Sequence, residues 1–163
     1  MRETVERLYG LLERAATWLQ SPFLLAVRLY WGWQFAQDGW GKLHHLDGVT
    51  QYFTQLGIPA PGINASFVAG LELVGGVLLA LGLGSRPIAL LLTGNMLVAF
   101  VTGDRAAFFS IFSDPGKFYA AAPYTYLFAS LLILIFGPGK LALDTLILQH
   151  GVRSAHRRAT ATR

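Results

Sequence analysis

Four apolar stretches, near residues 22–43, 63–83, 86–103 and 120–137, fill most of this 163-residue chain. Each approaches the roughly 20 residues needed to cross a ~30 Å hydrocarbon core. The first carries Arg28, the second Glu72 and the third Asn95. A bare charge at the centre of a membrane helix costs roughly 2.5–3.5 kcal/mol on insertion scales, so such residues persist when they pair or line a site inside the protein. Only 13% of the residues are charged and 53% are hydrophobic, against about 25% charged in a typical soluble domain. The chain therefore reads as an all-α integral membrane protein, with four transmembrane helices in an antiparallel bundle and a polar cluster within it.

The flanks fit that reading. Residues 1–21 lack the 7–15-residue apolar core of a signal peptide and carry Arg2, Glu3, Glu6, Arg7, Glu13 and Arg14. Within them Val5, Leu8, Leu12, Ala15 and Leu19 recur at helical spacing. This predicts an amphipathic helix over 3–19 lying in the membrane interface, with Trp18 at headgroup level. Contact with a protein partner is the alternative for the same face. Pro22 sits at the expected first turn of span one. The domain plan is an interfacial helix (1–21), a four-span unit (22–148) and a basic tail (149–163).

Lysine and arginine counts orient the bundle. Arg2, Arg7, Arg14, Arg86, Lys140 and the four tail arginines fall on one side, whereas Lys42, Arg105 and Lys117 fall on the other. The positive-inside rule then puts both termini in the cytoplasm of a bacterial-type inner membrane. The net charge of +4 sits mainly in these flanks, so it points to membrane orientation and not to nucleic acid. Residues 44–62 contain a helical signature (Val49, Tyr52, Phe53, Leu56) ended by Gly57–Gly62. Gly84-Ser85-Arg86 makes a tight hairpin of spans two and three. Phe108, Phe109, Phe112, Phe118 and Tyr119 are expected at the interface, around a turn at Asp114-Pro115-Gly116.

At 1.5 Å per residue, Arg28, Asn95, Glu72 and Gln34 lie about 9, 13, 16 and 18 Å from the cytoplasmic edge, and an extended arginine spans the difference. The spacing agrees: Arg28, Gly32, Phe35, Gly39 and Lys42 form one stripe, Ala65, Ala69, Glu72, Gly76 and Leu79 a second, and Leu91, Asn95, Ala99 and Thr102 a third. These are the expected inward faces of the bundle. Two readings stand side by side: an Arg28–Glu72 ion pair that fixes helix register, or a cavity that takes a polar headgroup such as a quinone carbonyl. Asp38 and Lys42, one helical turn apart, are expected to pair at a solvated helix end; Arg86 lies at the opposite helix end. His44, His45 and Asp47 lack the i, i+4 spacing of a helical metal site, and no metal is expected. With no cysteine in the chain, thiolate chemistry and cysteine-held clusters are excluded.

One ordered set of motifs is more specific. It runs Arg28-x3-Gly32-x2-Phe35-x3-Gly39-x2-Lys42-Leu43, then Leu56-Gly57-Ile58-Pro59-Ala60-Pro61, Glu72-x2-Gly75-Gly76 and Leu81-Gly82-Leu83-Gly84-Ser85-Arg86. Asn95-Met96-Leu97-Val98-Ala99 and Phe136-Gly137-Pro138-Gly139-Lys140-Leu141-Ala142-Leu143-Asp144 complete it. In this order the chain resembles the DoxX family of small four-helix membrane proteins over residues 22–148. The resemblance implies an inner-membrane bundle linked to redox metabolism, since related proteins look like membrane subunits of a thiosulfate:quinone oxidoreductase. Arg28, Lys42, Glu72 and Arg86 match the family's polar pattern. The expected function is a membrane subunit of a quinone-linked redox complex, noncatalytic by itself. It would contact lipid and protein partners, carry no covalent cofactor, and hold a quinone or lipid near Arg28, Gln34, Glu72 and Asn95. A purely structural accessory subunit of a respiratory or photosynthetic complex is the alternative, and a small transporter, disfavoured by the lack of inverted repeats, is the third reading.

Overall fold

The computed structural model describes residues 2–147, and no strand occurs among them. The basic tail (149–163) lies outside the described residues. Seven helices follow in order: α1 (Arg2–His44), α2 (Leu46–Gln55), α3 (Pro61–Leu81), α4 (Ser85–Thr102), α5 (Arg105–Phe108), α6 (Pro115–Ala120) and α7 (Ala122–Phe136). α3 and α4 are long and apolar enough to cross a membrane, and α7 is a shorter apolar helix. α1, α3, α4 and α7 pack as antiparallel neighbours.

The expected break between an interfacial helix and span one is absent. α1 is one continuous helix of 43 residues with Pro22 inside it, about 65 Å long. Proline removes one backbone N–H bond, a loss that helices at membrane depth accommodate locally, and the residues on both sides favour helix. From residue 4 to residue 20 every residue is exposed except half-buried Gly10. Packing begins at half-buried Ser21 and Pro22, and Leu24 is the first buried residue.

Glycine sets the α1–α3 seam. A Cβ on Gly32 would stand 2.7 Å from the Gly76 carbonyl oxygen, and one on Gly76 would stand 2.5 Å from the Ala36 nitrogen. Gly39 meets the backbone of Ala69 and Leu73 in the same way. The two helices therefore touch backbone to backbone, as small residues permit in membrane helix pairs. Both expected stripes lie in this seam: Arg28, Gly32, Phe35 and Gly39 are buried with Lys42 half-buried, and Ala65, Ala69, Glu72, Gly76 and Leu79 are all buried.

α4 turns part of the expected stripe inward: Asn95, Ala99 and Thr102 line a cavity, and Leu91 does not. Its buried residues are Ser85, Ala89, Leu92, Thr93, Met96 and Phe100, whereas Leu91 is exposed and Asn95, Ala99 and Thr102 are half-buried. α4 packs on α7, and the Thr93 hydroxyl donates to Ser130 Oγ at 3.0 Å between them. An evenly apolar helix carries little pattern from which to read its inward face; its neighbour chooses that face.

The 103–121 segment is half core and half surface. Phe118 is buried and stacks on Phe100 with ring centroids 5.1 Å apart, and Phe108 meets Phe100 edge-on at 5.4 Å. Phe109, Phe112 and Tyr119 are exposed. The turn at Asp114 starts α6, where the Asp114 carboxylate accepts from the Lys117 N–H at 3.2 Å.

Candidate functional site

Arg28 and Glu72 do not pair; the structure sends them to opposite ends of the seam. Arg28 Nη2 donates to the Leu141 carbonyl at 2.7 Å and Nη1 to the Ala80 carbonyl at 3.4 Å. Its end of α1 lies against the α3–α4 turn, where Gly82 at φ 73° leaves room for the guanidinium. Asp144 completes this end. Its Oδ1 accepts from the Gly84 N–H and its Oδ2 from the Ser85 N–H, both at 2.8 Å. The carboxylate thus caps the start of α4 from a segment 60 residues away, which supplies the acceptor that a helix N-terminus requires. Burial alone would raise the Asp144 carboxyl, but the two backbone donors and the charge of Arg28 outweigh it and hold it below the ordinary carboxylate range. Arg28 is therefore a structural tie between α1, the hairpin and the chain after α7. Arg86 is exposed and lies beside Gly137 at the same end.

At the other end the polar groups converge. Glu72, 1% exposed, is paired with the Lys42 ammonium and accepts from the Asn95 amide at 2.9 Å. Lys42 reaches Glu72 because α1 and α3 are antiparallel and its long stem runs back along the seam, a use of lysine that keeps its stem on apolar surface. One-third of the Lys42 side chain remains exposed. The expected Asp38–Lys42 pair gives way to this arrangement: Asp38 instead accepts from the Tyr126 hydroxyl of α7 at 2.5 Å. Gln34 is half-buried and stands outside this group, as does Arg28. Of the four residues expected to meet, only Glu72 and Asn95 touch.

These groups form the polar end of a cavity of about 690 Å³, within the size range of small-molecule sites. Phe35 and Tyr126 line it together with Lys42 and Glu72. α2 and the chain after it wall it with Val49, Tyr52, Phe53 and Leu56, and Met96 and Ala99 of α4 stand opposite. α2 buries none of its own residues; its apolar side serves this wall. The walls are apolar and the polar groups few and convergent, the usual composition of a ligand pocket. Sequence reasoning missed Tyr126, which stands out in no way within an apolar helix, and the capping role of Asp144, whose position in the motif after α7 was visible but whose target was not. His44 and His45 point their Nδ1 atoms to the Trp40 and Gly41 carbonyls at 2.9 and 3.1 Å. Among the described residues no group of three or more metal-ligating side chains assembles.

The DoxX family model matches residues 23–105, which contain α1 from Phe23 through α4 and hence Lys42, Glu72 and Asn95. CatD of Bacillus subtilis (strain 168), provisionally named an oxidoreductase, is 29% identical over 77% of this chain and 87% of its own. Two proteins of Escherichia coli (strain K12) named as inner membrane proteins are also similar. YqjF is 30% identical over 79% of this chain and 95% of its own, and YphA is 30% identical over 65% and 76%. No solved structure matches. With its motifs in family order and its apolar helices long enough to span a bilayer, the chain belongs to the DoxX family of membrane proteins.

Proposed function

We propose that this protein is a four-span subunit of a quinone-linked redox system in a bacterial inner membrane. It holds a quinone or lipid headgroup in the cavity that ends on Lys42, Glu72 and Asn95, and is noncatalytic by itself. The observation that carries this reading is the cavity: about 690 Å³ of mainly apolar space closing on a buried carboxylate with its ammonium and amide partners. A buried, satisfied polar group at membrane depth is costly to keep and marks a functional position. The printed names of CatD, YqjF and YphA favour redox association and an inner-membrane location. The packing of α1 and α7 along α3 and α4 supports four spans, and the lysine and arginine distribution supports cytoplasmic termini.

In this reading electrons come from a protein partner, and this chain supplies binding and orientation. Purification in mild detergent, followed by solvent extraction and mass spectrometry, tests both halves. Quinone retained by the wild type and lost from Glu72→Gln supports the site. Equal retention by both, or neither quinone nor lipid retained, overturns it.

The structural-subunit reading keeps one specific support: the apolar side chains along the first twenty residues, among them Leu8, Leu12, Trp18 and Leu19, are exposed. If partner contact is the main role, deleting residues 2–20 releases co-purifying protein while Glu72→Gln changes stability alone.

A further inference from the structure

The cavity's hydrogen-bonding inventory distinguishes between ligands. Three of its donors are committed: one Asn95 N–H and one Lys42 N–H go to Glu72, and the Tyr126 hydroxyl goes to Asp38. Glu72 is on the lining but only 1% exposed, so it acts chiefly by positioning Lys42 and Asn95. Left on the lining are the second oxygen of exposed Asp38, the Asn95 side-chain carbonyl and second N–H, and the two other Lys42 N–H groups, by the ordinary inventory of these side chains; Tyr52 and His45 add further polar groups. Asp38 and Lys42 stand one turn apart on α1 and both line the cavity. An anionic acceptor thus lies beside a cationic donor. Asp104 and His45 are the other titratable groups on the lining besides the tyrosines.

A hydroxyl satisfies such a pair, because it donates to the carboxylate and accepts from the ammonium. A carbonyl only accepts: it satisfies Lys42 but faces Asp38 with one lone pair against another. Phe35, Tyr52, Phe53 and Tyr126 supply ring faces and edges on the same lining, which suits a flat ring.

Resting on the reading that this cavity holds a ligand, we infer that it selects an aromatic hydroxyl, a hydroquinone or phenol, over the corresponding quinone, with Asp38 accepting the hydroxyl proton's hydrogen bond and Lys42 donating to its oxygen.

The test uses the full chain in lipid nanodiscs, with protein-free nanodiscs as the partition control, and three probes: 1-naphthol, 1-methoxynaphthalene and 1,4-naphthoquinone. Binding is read by equilibrium dialysis as the saturable part lost in Ala99→Phe, which fills the cavity; Val68→Trp fills the same space should the first variant not fold. The expected result is 1-naphthol bound about tenfold or more tightly than either other probe, the worth of one hydrogen bond to a charged group. Asp38→Asn should remove most of that preference. Equal saturable binding of all three, tighter binding of the quinone, or a preference that survives Asp38→Asn overturns the hydroxyl selectivity and leaves the cavity reading standing. If no probe shows saturable binding sensitive to the filling variants, the cavity reading itself is overturned, and this inference with it.

Discussion

Lys42 and Glu72 join α1 to α3 by an ion pair whose two halves are unequally placed: the carboxylate is almost fully buried, while a third of the lysine side chain remains exposed. The consequences of breaking the pair are therefore unequal. Lys42→Met leaves a buried, unpaired carboxylate, and removing the partner of a buried charge typically costs about 3–5 kcal/mol. Glu72→Gln leaves an ammonium that can turn toward the open space and keeps a group that hydrogen-bonds Asn95. Thermal unfolding in detergent should find Lys42→Met clearly the less stable of the two. The reverse order would mean that Glu72 is not charged in the folded protein.

Gly76→Ala should separate α1 from α3. The added methyl meets the Ala36 backbone and Gly32 carbonyl, where neither can move aside as a flexible side chain would. A loss of about 1–3 kcal/mol is expected, the usual range for overpacking. Gly94→Ala is the matched control: a Cβ there meets nothing within 4 Å, and alanine is favoured over glycine in a helix by about 1 kcal/mol. Gly94→Ala should be neutral or stabilising in the same unfolding assay.

Asp144→Asn should destabilise the protein in a pH-dependent way. The carboxyl is held below its ordinary value when folded, so its contribution is present above the unfolded value of about 3.9. It is lost as the pH falls through the lower folded value. The difference in Tm between wild type and Asp144→Asn should be full at pH 7 and shrink below about pH 4. A difference that is constant over this range would mean that shape, not charge, makes the cap.

Arg28→Lys should loosen the end of the chain after α7. A lysine cannot reach the Leu141 and Ala80 carbonyls at once with the planar fork that arginine offers. Hydrogen exchange at residues 139–145 should speed up, while the α4–α7 contact around Thr93 and Ser130 keeps its protection. Equal acceleration at both places would show that Arg28 supports the whole bundle and not this tie.

Helical periodicity exposed two of the three inward stripes because α1 and α3 mix polar, small and large residues. Arg28, Gly32, Phe35 and Gly39 could not all face lipid, and neither could Glu72 and Gly76. The third stripe was only partly right: Asn95, Ala99 and Thr102 line the cavity while Leu91 is exposed, because Leu91 and Leu92 look alike in an apolar run until neighbouring helices cover one of them. Pro22 looked like a helix start, and the chain nevertheless continues through it, since one lost backbone bond is too small a signal to set a boundary.

Sequence by itself determined the helical membrane class, the family and the residues that must be accounted for: Arg28, Lys42, Glu72, Asn95 and the Phe136–Asp144 run. Tertiary structure decided which of them meet. Arg28 found the Leu141 carbonyl of the chain after α7, Lys42 took Glu72, and Asp38 turned to Tyr126. Pairing of this kind depends on the direction and reach of side chains between helices far apart in the chain. Opposite charges at similar depth constrain such pairing without fixing it.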